Sequence, residues 1–200
     1  MRALAAALVL AAAAAPAHAA DLRPWSGDAT PPALVLKDVD GREHRLADYR
    51  GKVVLVNFWA TWCEPCREEM PAMQRLQQRL DGKPFVVLAV DFGEGDARVK
   101  GFLKELPLAF TFLLDRDGSA ARAWRVRVLP VSFLIDADQR IRYSAVGDAA
   151  WDSPGVERLV RGLLPRVALR RAGHNIGIAR SGEPPEPEAQ GAHSWIDALF

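Results

Sequence analysis

Apolar positions along the chain fall into two patterns, unbroken runs and helical stripes. Val53 to Phe58 is a continuous β-branched and apolar run, and Phe85 to Val90 is a second. Runs of this length without alternation predict strands buried on both faces. Between them, Met70, Met73, Leu76 and Leu80 recur at three- and four-residue spacing within Glu64 to Leu80. That stripe predicts a helix with one buried face, kinked at Pro71, which cannot donate to the carbonyl of Arg67. Asp81-Gly82-Lys83-Pro84 ends the helix. Strand, helix, strand in this order predicts a right-handed βαβ crossover, with parallel strands and helices packed on the sheet faces.

The flanking segments extend the same α/β plan. Residues 20–31 read as a polar lead-in, and Pro31-Pro32 sets the expected start of ordered structure. Ala33 to Leu36 and Arg42 to Arg45 flank Asp38-Val39-Asp40-Gly41, a hairpin with Gly41 supplying the turn, and Leu46 to Tyr49 reads as a short helical turn. Downstream, a loop containing Gly93 and Gly95 precedes a helix from Ala97 to Leu106, which Pro107 closes, and Phe110 to Leu114 is the next strand. After the turn Asp115 to Gly118, Ser119 is expected to cap a short helix through Trp124. Ser132 to Ile135 and Ile141 to Val146 are close enough to form an antiparallel hairpin. Pro154 opens a last helix, which runs to Leu164 and is ended by Pro165, so residues 32–165 make one domain.

The two ends carry a different message. Residues 1–19 read as a signal peptide: Arg2, an apolar run from Ala3 to Ala15, Pro16, then Ala17-His18-Ala19 with cleavage after Ala19. The run is shorter than the roughly 20 residues that span a bilayer. The alternative is an uncleaved N-terminal anchor, and on either reading the domain works outside the cytoplasm, in a periplasm or its equivalent. Residues 166–200, with Glu183-Pro184-Pro185-Glu186, lack a sustained apolar period and are expected to be disordered. Charge adds an exclusion: 26 basic and 25 acidic residues, or 25 of each without Arg2, leave no global field to recruit nucleic acid or an anionic membrane.

Cysteine usage points to the chemistry. Cys63 and Cys66 are the only cysteines, three positions apart where a strand feeds a helix. They can close a disulfide across the first helical turn, where unpaired N–H groups favour a thiolate. A structural disulfide is the alternative, but so short a loop is worth only about 2 kcal/mol and framework proteins carry several pairs. Redox exchange is therefore the reading, with Cys63 at the exposed helix start as attacking thiol and Cys66, one turn inside, as resolving thiol. Pro65 suits the first turn, and the Glu64 carboxylate disfavours the Cys63 thiolate, which makes a weaker oxidant. Glu69, three residues past Cys66, is placed to accept its proton. Trp59 and Trp62 are expected to form an apolar rim for substrate, with the core as the alternative place for Trp59.

The segments FWATWCEPC, CREEMP and RVLPVSFLID, taken together, resemble thioredoxin-like thiol–disulfide oxidoreductases of the TlpA/ResA type, over Pro32 to Leu164. The resemblance implies a thioredoxin fold with an added N-terminal β-hairpin and a central insertion, and no cofactor or metal. It implies reductive work on exported protein thiols and disulfides, apocytochrome c among them, with electrons from a membrane thiol-reducing protein. It matches Glu69 to a glutamate that tunes the active-site thiols. It also implies a cis Leu129-Pro130 bond opposite Cys63, where the Leu129 backbone would pair with an extended substrate segment. The chain departs from its relatives at Val131, where they commonly carry Thr. It departs from cytoplasmic thioredoxins at Asn57, which stands where they bury an aspartate and cannot take up a proton.

Two other activities suit the same cysteines. Paired thiolates bind Cu(I), as in a copper-binding assembly factor. Such a site wants a nearby His, and His44, His174 and His193 all lie away from the Gly93 to Val146 return segment. A peroxiredoxin-type peroxidase places Thr three residues before its reactive cysteine, whereas Thr61 is two before Cys63.

Overall fold

The computed structural model describes residues 22–165, so the expected signal peptide and the expected disordered tail lie outside the described residues. In chain order the elements are β1 (Arg23–Pro24), β2 (Val35–Asp38), β3 (Glu43–Arg45), a 3-10 turn (Leu46–Tyr49), β4 (Val53–Trp59), α1 (Glu64–Arg79), β5 (Phe85–Phe92), α2 (Asp96–Glu105), β6 (Thr111–Asp115), α3 (Ser119–Ala123), β7 (Val131–Ile135), β8 (Ile141–Val146) and α4 (Pro154–Leu163). The strands form one sheet in the order β1-β8-β7-β4-β5-β6-β2-β3. β4 is central, parallel to β5 and antiparallel to β7.

The unbroken apolar run of β4 has a simple cause. Every β4 residue is buried, and alternate side chains serve opposite faces. Val54, Val56 and Phe58 pack with Ala120, Ala121 and Trp124 on one face. Val53 and Leu55 pack with Met73, Leu76, Val156 and Val160 on the other. The α1 stripe buries Met70, Met73 and Leu76 as its spacing predicts, and Pro71 falls within the helix, which continues to Arg79. The N-terminal hairpin pairs β2 with β3 and docks on β6. Insertion α2–β6 widens the sheet beside β5. Both additions stand where the resemblance put them.

Two expectations are corrected. Order begins well before Pro31-Pro32: β1 pairs with β8 through Arg23↔Ser144 and Pro24↔Tyr143, and the Trp25 ring meets Phe133 edge-on at 5.7 Å. The Ala29 carbonyl also accepts the Ile141 N–H at 2.8 Å. A strand of two residues lives on backbone pairing and one aromatic contact, which polar composition conceals. Second, Ser119 does not cap α3. Gly118, at φ 68°, occupies that position and makes Ser119 the first helical residue. The Asp115 carboxylate reaches over from β6 to accept the Ala120 and Ala121 N–H groups at 3.0 and 2.8 Å.

Candidate active site

β4 ends at Trp59, and a tight turn delivers the chain to Cys63, the residue capping the start of α1. The Cys63 N–H bonds to the Ala60 carbonyl at 3.1 Å, and its own carbonyl accepts the Arg67 N–H at 3.2 Å. Cys66 lies within the first turn, joined to Cys63 by a disulfide with a Cα–Cα separation of 5.3 Å. Pro65 falls in the turn whose N–H groups have no helical partner, so its missing donor costs nothing. Cys63 is not exposed as expected: it is 6% accessible and Cys66 0%. In the bonded state each sulfur shields the other, although Cys63 remains the outer of the two.

The expected rim divides. Trp62 is 62% exposed, whereas Trp59 is wholly buried. The insertion explains the difference, because Phe102 of α2 and Phe112 of β6 cover the Trp59 ring at centroid distances of 5.1 and 5.5 Å. Trp62 lines a groove of about 140 Å³ with Phe92, Val126, Arg127, Val128 and Leu129. The Leu129-Pro130 bond is cis, and Pro130 is buried at the start of β7. β7 pairs with β4 as far as Phe58↔Val131, which brings this segment to the cysteine end of the sheet. Leu129 packs against the cluster that holds both cysteines. Glu64 points to water with its side chain 72% exposed, 3.6 Å from the Arg67 guanidinium. A carboxylate so exposed and so paired is screened, and its effect on Cys63 is smaller than its sequence position suggests.

Glu69 is the most perturbed group of the catalytic helix. It is 3% exposed. Its Oε1 accepts the Asn57 Nδ2–H at 2.8 Å, and its Oε2 accepts the Trp151 Nε1–H at 2.8 Å and the Ala149 N–H at 3.1 Å. Burial pushes the carboxyl up to about 7 against the downward pull of those three donors, and Asp148 adds to the rise. This is a carboxyl able to exchange a proton near neutrality, one turn along the helix from Cys66.

Residues 27–144 match the AhpC/TSA family. Thiol-disulfide oxidoreductase ResA of Geobacillus thermodenitrificans is 42% identical over 118 residues, covering 59% of this chain and 68% of that one. Its counterpart in Geobacillus kaustophilus is 38% identical over 136 residues, covering 68% and 77%. The chain belongs to the AhpC/TSA family, as a thioredoxin-like protein of the TlpA/ResA type. Among solved structures, a thiol:disulfide interchange protein of the thioredoxin family from Chlorobium tepidum superposes with a TM-score of 0.60 at 28% identity, over 72% of this chain and 99% of that one. The fold is thus the thioredoxin fold, and the activity is thiol–disulfide oxidoreduction.

Several residues of this ResA-type site escape a reading of motifs. Asn57 takes up no proton, yet it holds Glu69 and also donates to Ser132 Oγ at 2.9 Å, while its Oδ1 has no partner among the described residues. Trp151 and Ala149 complete the Glu69 cage from beyond β8. Thr61, Asp91 and Glu94 form a second polar cluster beside the catalytic turn. The one available signal was Asp91 itself, a carboxylate directly after the apolar run Phe85 to Val90. For a metal, no group of three His, Cys, Asp or Glu side chains converges among the described residues. His44 is engaged in the hairpin by Tyr49 and Asp38 at 2.7 and 2.8 Å.

Proposed function

We propose that this protein is exported and acts as a disulfide reductant for exported proteins, apocytochrome c among them, drawing electrons from a membrane thiol-reducing protein. The reduced Cys63 thiolate attacks a substrate disulfide, forming a mixed disulfide and releasing one substrate thiolate. Glu69 takes the Cys66 proton, and the Cys66 thiolate attacks the Cys63 sulfur. The substrate leaves as a dithiol carrying the two electrons and the two protons, and the protein is left oxidised as the Cys63–Cys66 disulfide, which the membrane donor must reduce again. Trp62 and Leu129 offer an apolar seat and a backbone edge for an extended segment, with Pro130 closing the turn beneath them. Pro65 opens the helix, and Glu64 contributes a minor, solvent-screened opposition to the Cys63 thiolate.

The observation that carries this reading is the buried Glu69, three residues along α1 from Cys66, which Asn57, Trp151 and Ala149 hold and whose carboxyl burial pushes up to about 7. Trapping tests it. Cys66→Ala, expressed in an exporting cell, should accumulate mixed disulfides through Cys63 with exported thiol proteins, and Cys63→Ala should accumulate none. Adducts on Cys66 in the Cys63 variant, with none in the Cys66 variant, would reverse the two roles.

A further inference from the structure

Asp91 is the penultimate residue of β5 and has no part in the thiol exchange. It stands across from Trp59 in the β4–β5 register and is fully buried. Its Oδ1 accepts the Glu94 N–H at 3.1 Å, but its Oδ2 meets no hydrogen-bond partner as an acceptor among the described residues. The Glu94 side chain is within hydrogen-bonding reach. A bare carboxylate oxygen is costly in such a place, and a proton turns it into a donor. Glu94 uses both of its oxygens on the catalytic turn: Oε1 accepts from Thr61 Oγ1 at 2.7 Å and Oε2 from the Thr61 N–H at 2.6 Å. Arg98 adds a contact to each partner, 3.3 Å from Glu94 Oε1 and 3.1 Å from Thr61 Oγ1. Thr61 sits inside the turn that the Cys63 N–H closes on the Ala60 carbonyl.

We propose that Asp91 and Glu94 form a carboxylic acid–carboxylate pair, with the proton on Asp91 Oδ2, that grips the Thr61 turn and so positions Cys63. They are positioning residues, and this second half rests on Cys63 being the attacking thiol. The electrostatics agree with the geometry. Burial first, then the neighbouring Glu94, pushes Asp91 up to about 8, with Asp115 adding to the rise. For Glu94 burial works upward but is outweighed by hydrogen bonds from Asp91 and Thr61 and by the Arg98 charge, which hold it below the usual carboxylate range. The other charged groups around the pair are Asp115 at the end of β6, tied to the α3 N–H groups, and Arg67 of α1, whose guanidinium lies over the Phe102 ring. Above about pH 8 the pair would carry two negative charges beside the turn, loosening the grip and opposing a Cys63 thiolate.

Infrared difference spectra of the full oxidised chain, wild type minus Asp91→Asn, test the shared proton directly. A carboxylic-acid C=O band at pH 7 that fades above about pH 8 is expected. Only carboxylate bands at pH 7 would overturn the pair. In the reduced protein, Asp91→Leu should slow alkylation of Cys63 at pH 7 on the order of tenfold. Asp91→Asn, whose amide still donates to Glu94 and accepts its N–H, should recover most of that rate. An Asp91→Asn variant as slow as Asp91→Leu, with the acid band present in wild type, would overturn the positioning role and leave the exchange mechanism intact. Thr61→Val covers the case in which Asp91→Leu does not fold: slower Cys63 alkylation supports the grip, and an unchanged rate overturns it.

Discussion

Glu69→Gln separates what the buried carboxyl does from what its shape does. In the folded chain Glu69 titrates at about 7, against an ordinary value of 4.5. Below pH 4.5 the group is protonated in both folded and unfolded chains. Between 4.5 and 7 the unfolded chain has released the proton while the folded chain keeps it, so the unfolded state binds fewer protons and stability falls as pH rises. The loss is complete above the folded value. At ~1.4 kcal/mol per pH unit, the interval from 4.5 to about 7 amounts to about 3 kcal/mol, and at 3% exposure no solvent screening reduces it. Gln keeps one acceptor oxygen for Trp151 and Ala149 and turns an amide toward Asn57. The Asn57 amide can rotate to offer its unpartnered Oδ1. Urea unfolding of both oxidised proteins from pH 4 to pH 8 should show Glu69→Gln gaining about 3 kcal/mol on wild type across that window. Because Asp91 titrates in both proteins, its contribution cancels. Parallel stability curves would refute the raised carboxyl, and with it the proposed proton acceptor for Cys66.

Two further outcomes follow from the surface of the same helix and from the last one. Glu64→His should favour the Cys63 thiolate and raise the reduction potential, but by less than about 30 mV, because position 64 is exposed and Arg67 already sits beside it. Equilibration with glutathione measures this, and an unchanged potential would remove the charge effect altogether. Ser153→Ala should cost about 1 kcal/mol in urea unfolding, because the Ser153 hydroxyl accepts the Val156 N–H at the start of α4 at 3.3 Å. A loss near zero would show that water replaces the cap.

What could be read from the chain follows the range of the interactions. The β4 run, the α1 stripe and the two hairpins were legible because their burial repeats over neighbouring residues. The caging of Glu69 was not, since Ala149 and Trp151 stand 80 and 82 positions away. Thr61 and Glu94 are 33 apart and meet only because β5 returns alongside β4. Between rim and core, the place of Trp59 is decided by the α2–β6 segment, whose Phe102 and Phe112 fold over its ring. At Ser119 the local preference for a serine cap lost to Asp115, which the end of β6 holds over the helix start. Cys63 and Pro130 could be identified from short motifs, but that the chain around Pro130 comes to the cysteine end of the sheet depends on β7 inserting antiparallel beside β4.

The direction of electron flow is the central claim, and the reduction potential of the Cys63–Cys66 couple tests it most directly. Around the pair stand Glu64, the caged Glu69 and the Asp91–Glu94 cluster, while the nearby Arg67 is shared with Glu64. The Cys63 thiolate therefore leans chiefly on the α1 N-terminus, and the dithiol state is not specially favoured. Equilibration of the purified protein with glutathione should give a value nearer thioredoxin's, about −270 mV, than the strongly oxidising value of about −120 mV. A potential above about −150 mV, in that oxidising range, would contradict the reductant assignment.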